Sequence, residues 1–354
     1  MPDQPSSNDG ASDAVVVSIA EYPSCGNLLR SLPGAAKDSQ RVRSWLTAHA
    51  PGIDLIDLSW PRSQGGSAQD IWNHFELEGL MHSMVVNGQQ KMKDRLFVYI
   101  SGHGRSTVRN PAMPAVYCAQ HTRQIPDLFA PAGWIPVLTA GRLYREYIFF
   151  FDCCNEAQPG QPPPAPSIEL KYRDDVPSVL VVAACSPNQE ALETDTGGVF
   201  TEVLLEALSG SAGSPGSDWV TAAAVVDYLK ENVPMRANKR KPGHSQTPKE
   251  WFDPTLHADL MSFRLFHREI VNSIDVSAVV DGHPPADIEV LGFDLKPVGA
   301  LSSGGSSAAL LQGVFPGKYL LRGRNDGWQQ GIRVKTSIGD DGSVSHIVER
   351  IVLG

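Results

Sequence analysis

Four short runs of consecutive apolar residues constrain this chain more than any other feature: Ala14–Ala20 (AVVVSIA), Leu96–Ile100 (LFVYI), Tyr147–Phe151 (YIFFF) and Val179–Ala184 (VLVVAA). They are β-branched or aromatic, too short for core helices, and do not alternate with polar residues. Each must therefore be covered on both faces, which is how the strands of a parallel sheet read. Ile53–Leu58 (IDLIDL) adds a strand near an edge. Between these runs lie segments with helical spacing. Ser39–Ala48 gathers Val42, Trp45, Leu46 and Ala48 on roughly one face, and Ala68–Val86 carries apolar residues mostly three or four apart. Phe200–Leu208 and Thr221–Leu229 are two more. Strand alternating with helix predicts an α/β layered fold with a mostly parallel sheet over residues 14–266.

From about His267 the texture changes. Short alternating runs, Ile274–Val280, Asp287–Val290, Lys318–Arg322 and Gly331–Thr336, are separated by turn residues such as DGHPP, SSGGSS and GDDGS. This rhythm predicts a small all-β sandwich over 267–354. Residues 1–13 are polar and read as a loose tail without the basic-then-apolar order of a signal peptide. Glu156–Pro166 (EAQPGQPPPAP) is too dense in proline for helix or central strand. With the residues up to Val176 it makes a long loop inside the first domain, and loops of that length are usually functional or mobile.

Composition excludes several classes of function. Thirty basic against 39 acidic side chains give a formal charge of −9, with no basic excess to bind nucleic acid or an anionic membrane. No apolar stretch is long enough to cross a bilayer as a helix. Five cysteines, two of them adjacent, form no regular disulfide framework and fit a reducing cytosol. Cys25, Cys118 and Cys185 match no metal-ligand spacing, so no metal site is expected.

Two strand ends carry chemistry. Leu96–Ile100 runs into Ser101-Gly102-His103-Gly104, and Tyr147–Phe151 runs into Asp152-Cys153-Cys154-Asn155. In an open parallel sheet, side chains just past the carboxyl ends of the strands converge on the ligand crevice. A histidine and a cysteine placed this way are candidates for a base and a nucleophile, because a thiol near neutral pH needs an imidazole to take its proton. The N–H groups of Gly104 and Cys154 are candidates for an oxyanion hole.

These residues resemble the caspase-like cysteine peptidases, and within them the metacaspase branch. Members carry a strand ending in Ser-Gly-His-Gly and a second strand ending in Asp-Ser-Cys or Asp-Cys-Cys, here Ser101–Gly104 and Asp152–Cys154. The likeness covers roughly Val15–Leu265 and continues through Ala184-Cys185-Ser186, Gln189, Ala191, Glu193, Gly198-Val199-Phe200-Thr201 and Gln246-Thr247-Pro248. It implies a caspase-like three-layer sandwich with His103 as base, Cys154 as nucleophile, and Cys153 turned into the core. Asn155 stands where the family usually has a histidine.

The resemblance also implies a primary specificity pocket built from Asp38, Ser101 and Asp152. Two carboxylates in a narrow pocket repel each other unless a cation enters, so the expected P1 residue is Arg or Lys. Asp38 is equally placed to favour the start of a helix. Lys171 and Arg173, in the long loop where caspase relatives are cut, are candidate processing sites for self-cleavage or for an upstream activating protease. The basic run Arg236–Lys241 reads as a further cut site or a solvated loop. No cofactor is required; calcium activates many metacaspases, but no EF-hand pattern occurs here, and calcium activation stays open. Asp174-Asp175 and the acidic stretch Glu190–Asp195 read as solvated surface.

The expectation is thus a cytosolic cysteine endopeptidase acting on proteins with exposed Arg or Lys sites, possessed of a β-sandwich module. By analogy its setting is a bacterial stress, cell-death or defence pathway. Two alternatives stand beside it: a catalytically silent scaffold of the same fold acting through its β-sandwich, and another thiol hydrolase on an α/β sheet.

Overall fold

The computed structural model describes residues 11–50, 52–60, 73–87, 92–107, 110–158, 177–194, 196–213, 217–251, 263–268, 274–280, 285–292, 297–304, 308–312, 314–324, 328–338 and 344–351. The chain forms two compact units, Met1–Glu202 with Lys230–Asp259, and Val203–Leu229 with Leu260–Gly354.

The elements up to Glu250 run in the order β1 (Ser12–Ser18), α1 (Pro33–His49), β2 (Ile53–Asp57), α2 (His74–Asn87), β3 (Lys93–Ser101), β4 (Gly104–Thr107), β5 (Asn110–Tyr117), β6 (Leu128–Phe129), α3 (Pro131–Gly141), β7 (Tyr144–Asp152), β8 (Glu156–Gln158), β9 (Ser178–Ala183), β10 (Glu193–Thr194), β11 (Gly197–Gly198), α4 (Val199–Glu206), β12 (Trp219–Thr221), α5 (Ala222–Arg240) and β13 (Lys249–Glu250). The main sheet of the first unit has the order β13-β9-β7-β3-β1-β2. All its pairings are parallel except β13 with β9. The four apolar runs are its four inner strands, and β2, expected near an edge, is an edge strand.

Side-chain parity divides these strands between two faces. On one, Val15, Val98, Phe149, Cys153 and Val181 pack with Leu77 and Met81 of α2 and Trp134, Ile135 and Leu138 of α3 in one buried cluster. On the other, Phe97 lies 5.7 Å from Phe150, and Phe150 lies 6.5 Å from Phe200 of α4. α1 joins α4 on this side, since its Asp38 accepts a hydrogen bond from the N–H of Gly198, the residue before α4. The result is a mixed α/β fold with helices on both faces of a mostly parallel sheet.

Several elements depart from the sequence expectation. α3 has no counterpart in the sequence expectation, since APAGWIPVLTAG is rich in helix breakers. Its Pro131 sits in the first turn, where no N–H is needed, and three buried apolar side chains hold the rest despite Pro136. α5 runs on from the predicted Thr221–Leu229 to Arg240, past an internal Pro234. The basic run is therefore mostly the end of a helix, where Arg236 and Arg240 both pair with Glu202. A second small sheet, β6-β5-β4-β8, uses the first three residues of the proline-rich loop as an edge strand beside β4. Lys171, Arg173 and the rest of the predicted processing loop lie outside the described residues.

In the second unit, β12 pairs antiparallel with β14 (Arg264–His267). β15 (Ile274–Asp275), β16 (Ile288–Leu291), β17 (Pro297–Gly304), β18 (Ala308–Gln312), β19 (Gly317–Gly323), β20 (Gln329–Ile338) and β21 (Val344–Ile351) form an antiparallel array in the order β15-β18-β17-β16-β19-β20-β21. Its core gathers Val276, Ile288, Val290, Leu311, Leu321, Ile332 and Val334. The alternation in GKYLLRG is realised as alternately buried and half-buried residues along β19. The predicted strand Ile274–Val280 forms only over its first two residues before a turn.

Candidate active site

The carboxyl ends of β1, β3 and β7 finish level with one another, Ser18 opposite Ser101 and Ser101 opposite Asp152. Whatever follows these strands is therefore delivered to one edge of the sheet. After β3 the chain turns through Gly102 and His103. Tyr22, just past β1, is buried, and its hydroxyl donates to the Ile19 carbonyl at 2.9 Å while accepting the His103 N–H at 2.7 Å. A Cβ on Gly102 would lie 2.9 Å from that hydroxyl oxygen, so glycine is what lets the turn close onto Tyr22.

His103 itself is half-buried, with its ring 5.0 Å from the Tyr22 ring. Its Nε2 lies 2.9 Å from the carbonyl oxygen of Arg30. A carbonyl only accepts, so Nε2 carries the proton of the neutral ring and Nδ1 keeps the lone pair. Burial lowers the pKa of this imidazole below its ordinary value, only partly offset by the Arg30 carbonyl. The ring is therefore neutral at physiological pH.

After β7, Cys153 turns into the core and is buried, while Cys154 is half-buried with Sγ 4.0 Å from the Ala191 carbonyl oxygen. Burial pushes the Cys154 thiol up to about 11, and the carboxylates of Glu190, Glu156 and Asp152 push the same way. Thiol and imidazole are thus both neutral at rest, not the ion pair that a lowered thiol would give. Gly104 holds the two turns together: a Cβ there would lie 2.6 Å from the Cys154 carbonyl oxygen and 2.9 Å from Cys153 Sγ.

The loop after β9 is fixed over this edge by two glutamines. Gln189 accepts the N–H groups of Ser186 and Thr247 through Oε1, and its carbonyl accepts the Asn155 N–H at 3.0 Å. Gln246, fully buried, accepts the Leu192 N–H and donates to the Ala184 carbonyl. Gln189 and Gln246 thus act here as struts.

Asp38 and Asp152 are both buried. Asp38 Oδ2 accepts the Gly198 N–H at 2.6 Å, and Asp152 Oδ2 accepts the Thr201 hydroxyl at 2.6 Å. A Cβ on Gly198 would lie 2.5 Å from Asp152 Oδ2 and 3.0 Å from Asp38 Oδ2, so both carboxylates close on one glycine. Burial raises the Asp152 carboxyl to about 6 against the pull of Thr201. Burial, and then the Asp152 charge, raise Asp38 as well.

One cleft is lined by Arg30, Leu32, Ala35, Asp38, Ser101, Gly102, His103, Asp152, Cys153, Cys154, Ala191, Leu192, Glu193 and Gly198. It brings together all the sequence-predicted site residues except Gly104, which packs directly beneath it, and Lys171 and Arg173, which lie outside the described residues. Glu193 is a correction to the sequence expectation. It is not solvated surface but half-buried in this cleft, its carboxylate accepting the Ala35 N–H at 3.1 Å at the start of α1. Burial raises its pKa. Tyr22 and the Arg30 carbonyl were also missed, and a backbone carbonyl leaves no signal in a sequence. Among the described residues no group of three or more His, Cys, Asp or Glu side chains is placed to hold a metal ion. Among them, no helix is long and apolar enough to cross a membrane.

No family model matches the chain. A protein of a Desulfuromonadales bacterium, named a probable protease, is 24% identical over 231 residues, which is 56% of this chain and 26% of that protein. The chain thus spans about a quarter of the length of this curated relative. Among solved structures, caspase-1 from Spodoptera frugiperda is similar with a TM-score of 0.45 and 14% identity, covering 73% of this chain and 90% of that one. Protein GSU0716 from Geobacter sulfurreducens gives the same TM-score and identity, over 73% of this chain and 100% of its own. The chain is a distant relative of a probable protease, and its mixed α/β sheet carries a thiol, an imidazole and three carboxylates around one cleft.

Proposed function

We propose that this chain is a cysteine endopeptidase of the caspase and metacaspase type that cleaves proteins after Arg or Lys. The observation that carries this reading is a single cleft lined at once by Cys154, His103 and the buried carboxylates Asp38 and Asp152. The distant relative named a probable protease agrees with it. Two buried carboxylates facing one space repel each other and are poorly solvated, and a guanidinium or ammonium entering between them relieves both penalties. Glu193 adds a third negative wall. A basic P1 side chain held there brings its carbonyl carbon toward Cys154.

The chemistry follows from the tautomer of His103. With Nε2–H given to the Arg30 carbonyl, Nδ1 takes the thiol proton as Sγ attacks the scissile carbonyl carbon. That proton passes to the amine nitrogen as the C–N bond breaks. In the second half, Nδ1 takes a proton from the water that opens the thioester and returns it to sulfur as the acid leaves. The N–H groups of Gly104 and Cys154 are assigned to the oxyanion. Because thiol and imidazole rest as neutral groups, the proton moves during attack and not before it.

In this reading Lys171 and Arg173 are processing sites, cut by the enzyme itself or by an upstream protease. The protein substrates, the cytosolic setting and the defence or cell-death role belong to the same proposal. The test is cleavage of fluorogenic peptides ending in Arg, Lys or Asp by the protein and by Cys154→Ala, with and without calcium, while mass spectrometry follows the 156–176 loop. Cleavage after Arg or Lys that vanishes in Cys154→Ala is the expected result. Cleavage after Asp removes the acidic-pocket assignment. Silence before and after proteolytic nicking of the loop favours the catalytically silent scaffold.

A further inference from the structure

Behind Asp152, on the buried side of the cleft, stands a chain of hydroxyl groups that the proposed chemistry does not use. Thr201, in the first turn of α4, is fully buried, and its Oγ1 donates to Asp152 Oδ2 at 2.6 Å. Tyr99 of β3 is also fully buried, with its hydroxyl 2.6 Å from the same Oγ1. A hydroxyl has one proton, and Thr201 gives its own to the carboxylate, which when ionised can only accept. Tyr99 therefore donates to Thr201, and the bonds run in one direction, Tyr99 to Thr201 to Asp152. Every donor points toward the carboxylate. Such a chain favours the charged form and strengthens along its length in a low-dielectric interior.

We propose that Tyr99 and Thr201 are positioning residues for the cleft, a hydroxyl relay that keeps Asp152 ionised and aimed at an entering cation, so that acceptance of a basic side chain is set from the buried face of the sheet. The proposal rests on the reading of Asp38 and Asp152 as the cation pocket. The surroundings of Asp152 define what the relay works against. Asp38 on α1 and Glu193 on β10 add negative charge, Cys153 and Cys154 follow it in sequence, and His103 lines the same cleft. The nearby cations are Arg41, 3.4 Å from Asp38 Oδ1, and Arg30, whose charge acts on Glu193. The two Thr201 groups, hydroxyl and backbone N–H, are what oppose the effect of burial on this carboxyl.

The test compares the full-length protein with Thr201→Val, which keeps shape and loses the hydroxyl, Thr201→Ser, which restores it, and Tyr99→Phe. The first measurement is the titration of the Asp152 carboxyl by carbon-13 NMR in the unliganded protein, assigned with Asp152→Asn. The expected result is an upward shift of the midpoint by about one pH unit in Thr201→Val, a smaller one in Tyr99→Phe and recovery in Thr201→Ser. On an Arg-ending peptide, KM in Thr201→Val rises about twofold at pH 7 and roughly tenfold at pH 5 with little change in kcat, and the gap closes above pH 8. An unmoved midpoint in a folded Thr201→Val overturns the relay and leaves Thr201 a structural residue. If Thr201→Val does not fold, an unmoved midpoint in Tyr99→Phe does the same. A shifted midpoint in a protein that cleaves no basic peptide upholds the relay and overturns the peptidase reading instead.

Discussion

In the proposed cation pocket, a buried carboxylate that must be charged to work is a conflict at the scale of one residue, and Asp152 carries it. Burial lifts its carboxyl to about 6, well above the ordinary range. The folded chain therefore holds that proton more tightly than the unfolded chain. Its contribution to stability is full below about pH 4 and is lost as the pH rises through about 6. Binding a cation demands the opposite protonation state. Stability and P1 recognition should thus move in opposite directions between pH 4 and 7. Asp152→Asn keeps an oxygen to accept the Thr201 hydroxyl and removes the charge. We expect it to raise KM for Arg-ending peptides more than tenfold, while raising the melting temperature at pH 7.5 by roughly 2–4 °C, the equivalent of about 1 kcal/mol. A melting temperature that falls would show that the Asp152 charge is compensated in the fold.

Among the elements, those legible in the sequence were the ones whose residues answer to a single local demand. The inner strands are read from their composition because both of their faces are covered. The elements that were missed depend on partners far along the chain. β5 is spelled NPAMPAVY, a sequence that reads as loop, and is a strand because β4 and β6 flank it. α3 is held by what Trp134, Ile135 and Leu138 bury, against the propensity of its prolines. The same division holds for the site. His103, Cys154, Asp38, Ser101 and Asp152 were legible as residues at strand ends or at a helix start. Glu193 was not, because its role depends on facing the first amides of α1 from a loop distant in sequence. The joint between the turns after β3 and β7 is also an element-scale feature, and it is testable. At Gly104, a Cβ meets the Cys154 carbonyl oxygen at 2.6 Å and the Cys153 side chain at 2.8–2.9 Å, backbone and core that have little room to move. Gly104→Ala should lose about 1–3 kcal/mol of stability in a denaturant melt and a larger share of peptide cleavage than of fold. Full activity would show that the turns can part without consequence.

At the scale of the whole molecule, β7 runs straight into two neighbouring cysteines, one turned into the core and one half-buried at the cleft. The consequence reaches all five thiols. Cys25, Cys118, Cys153 and Cys185 are buried at 5% exposure or less, none is in a disulfide, and Cys154 alone is partly open. Folding thus divides five chemically identical groups into four that a reagent cannot reach and one that it can. Iodoacetamide at mildly alkaline pH should add one carbamidomethyl group to the native protein and five after denaturation, read by intact mass. Two or more additions before unfolding would contradict the burial pattern. With the expected count, a fluorophore, a spin label or a cross-linker can be placed at the mouth of the cleft in the unaltered chain, with no cysteine removed or introduced.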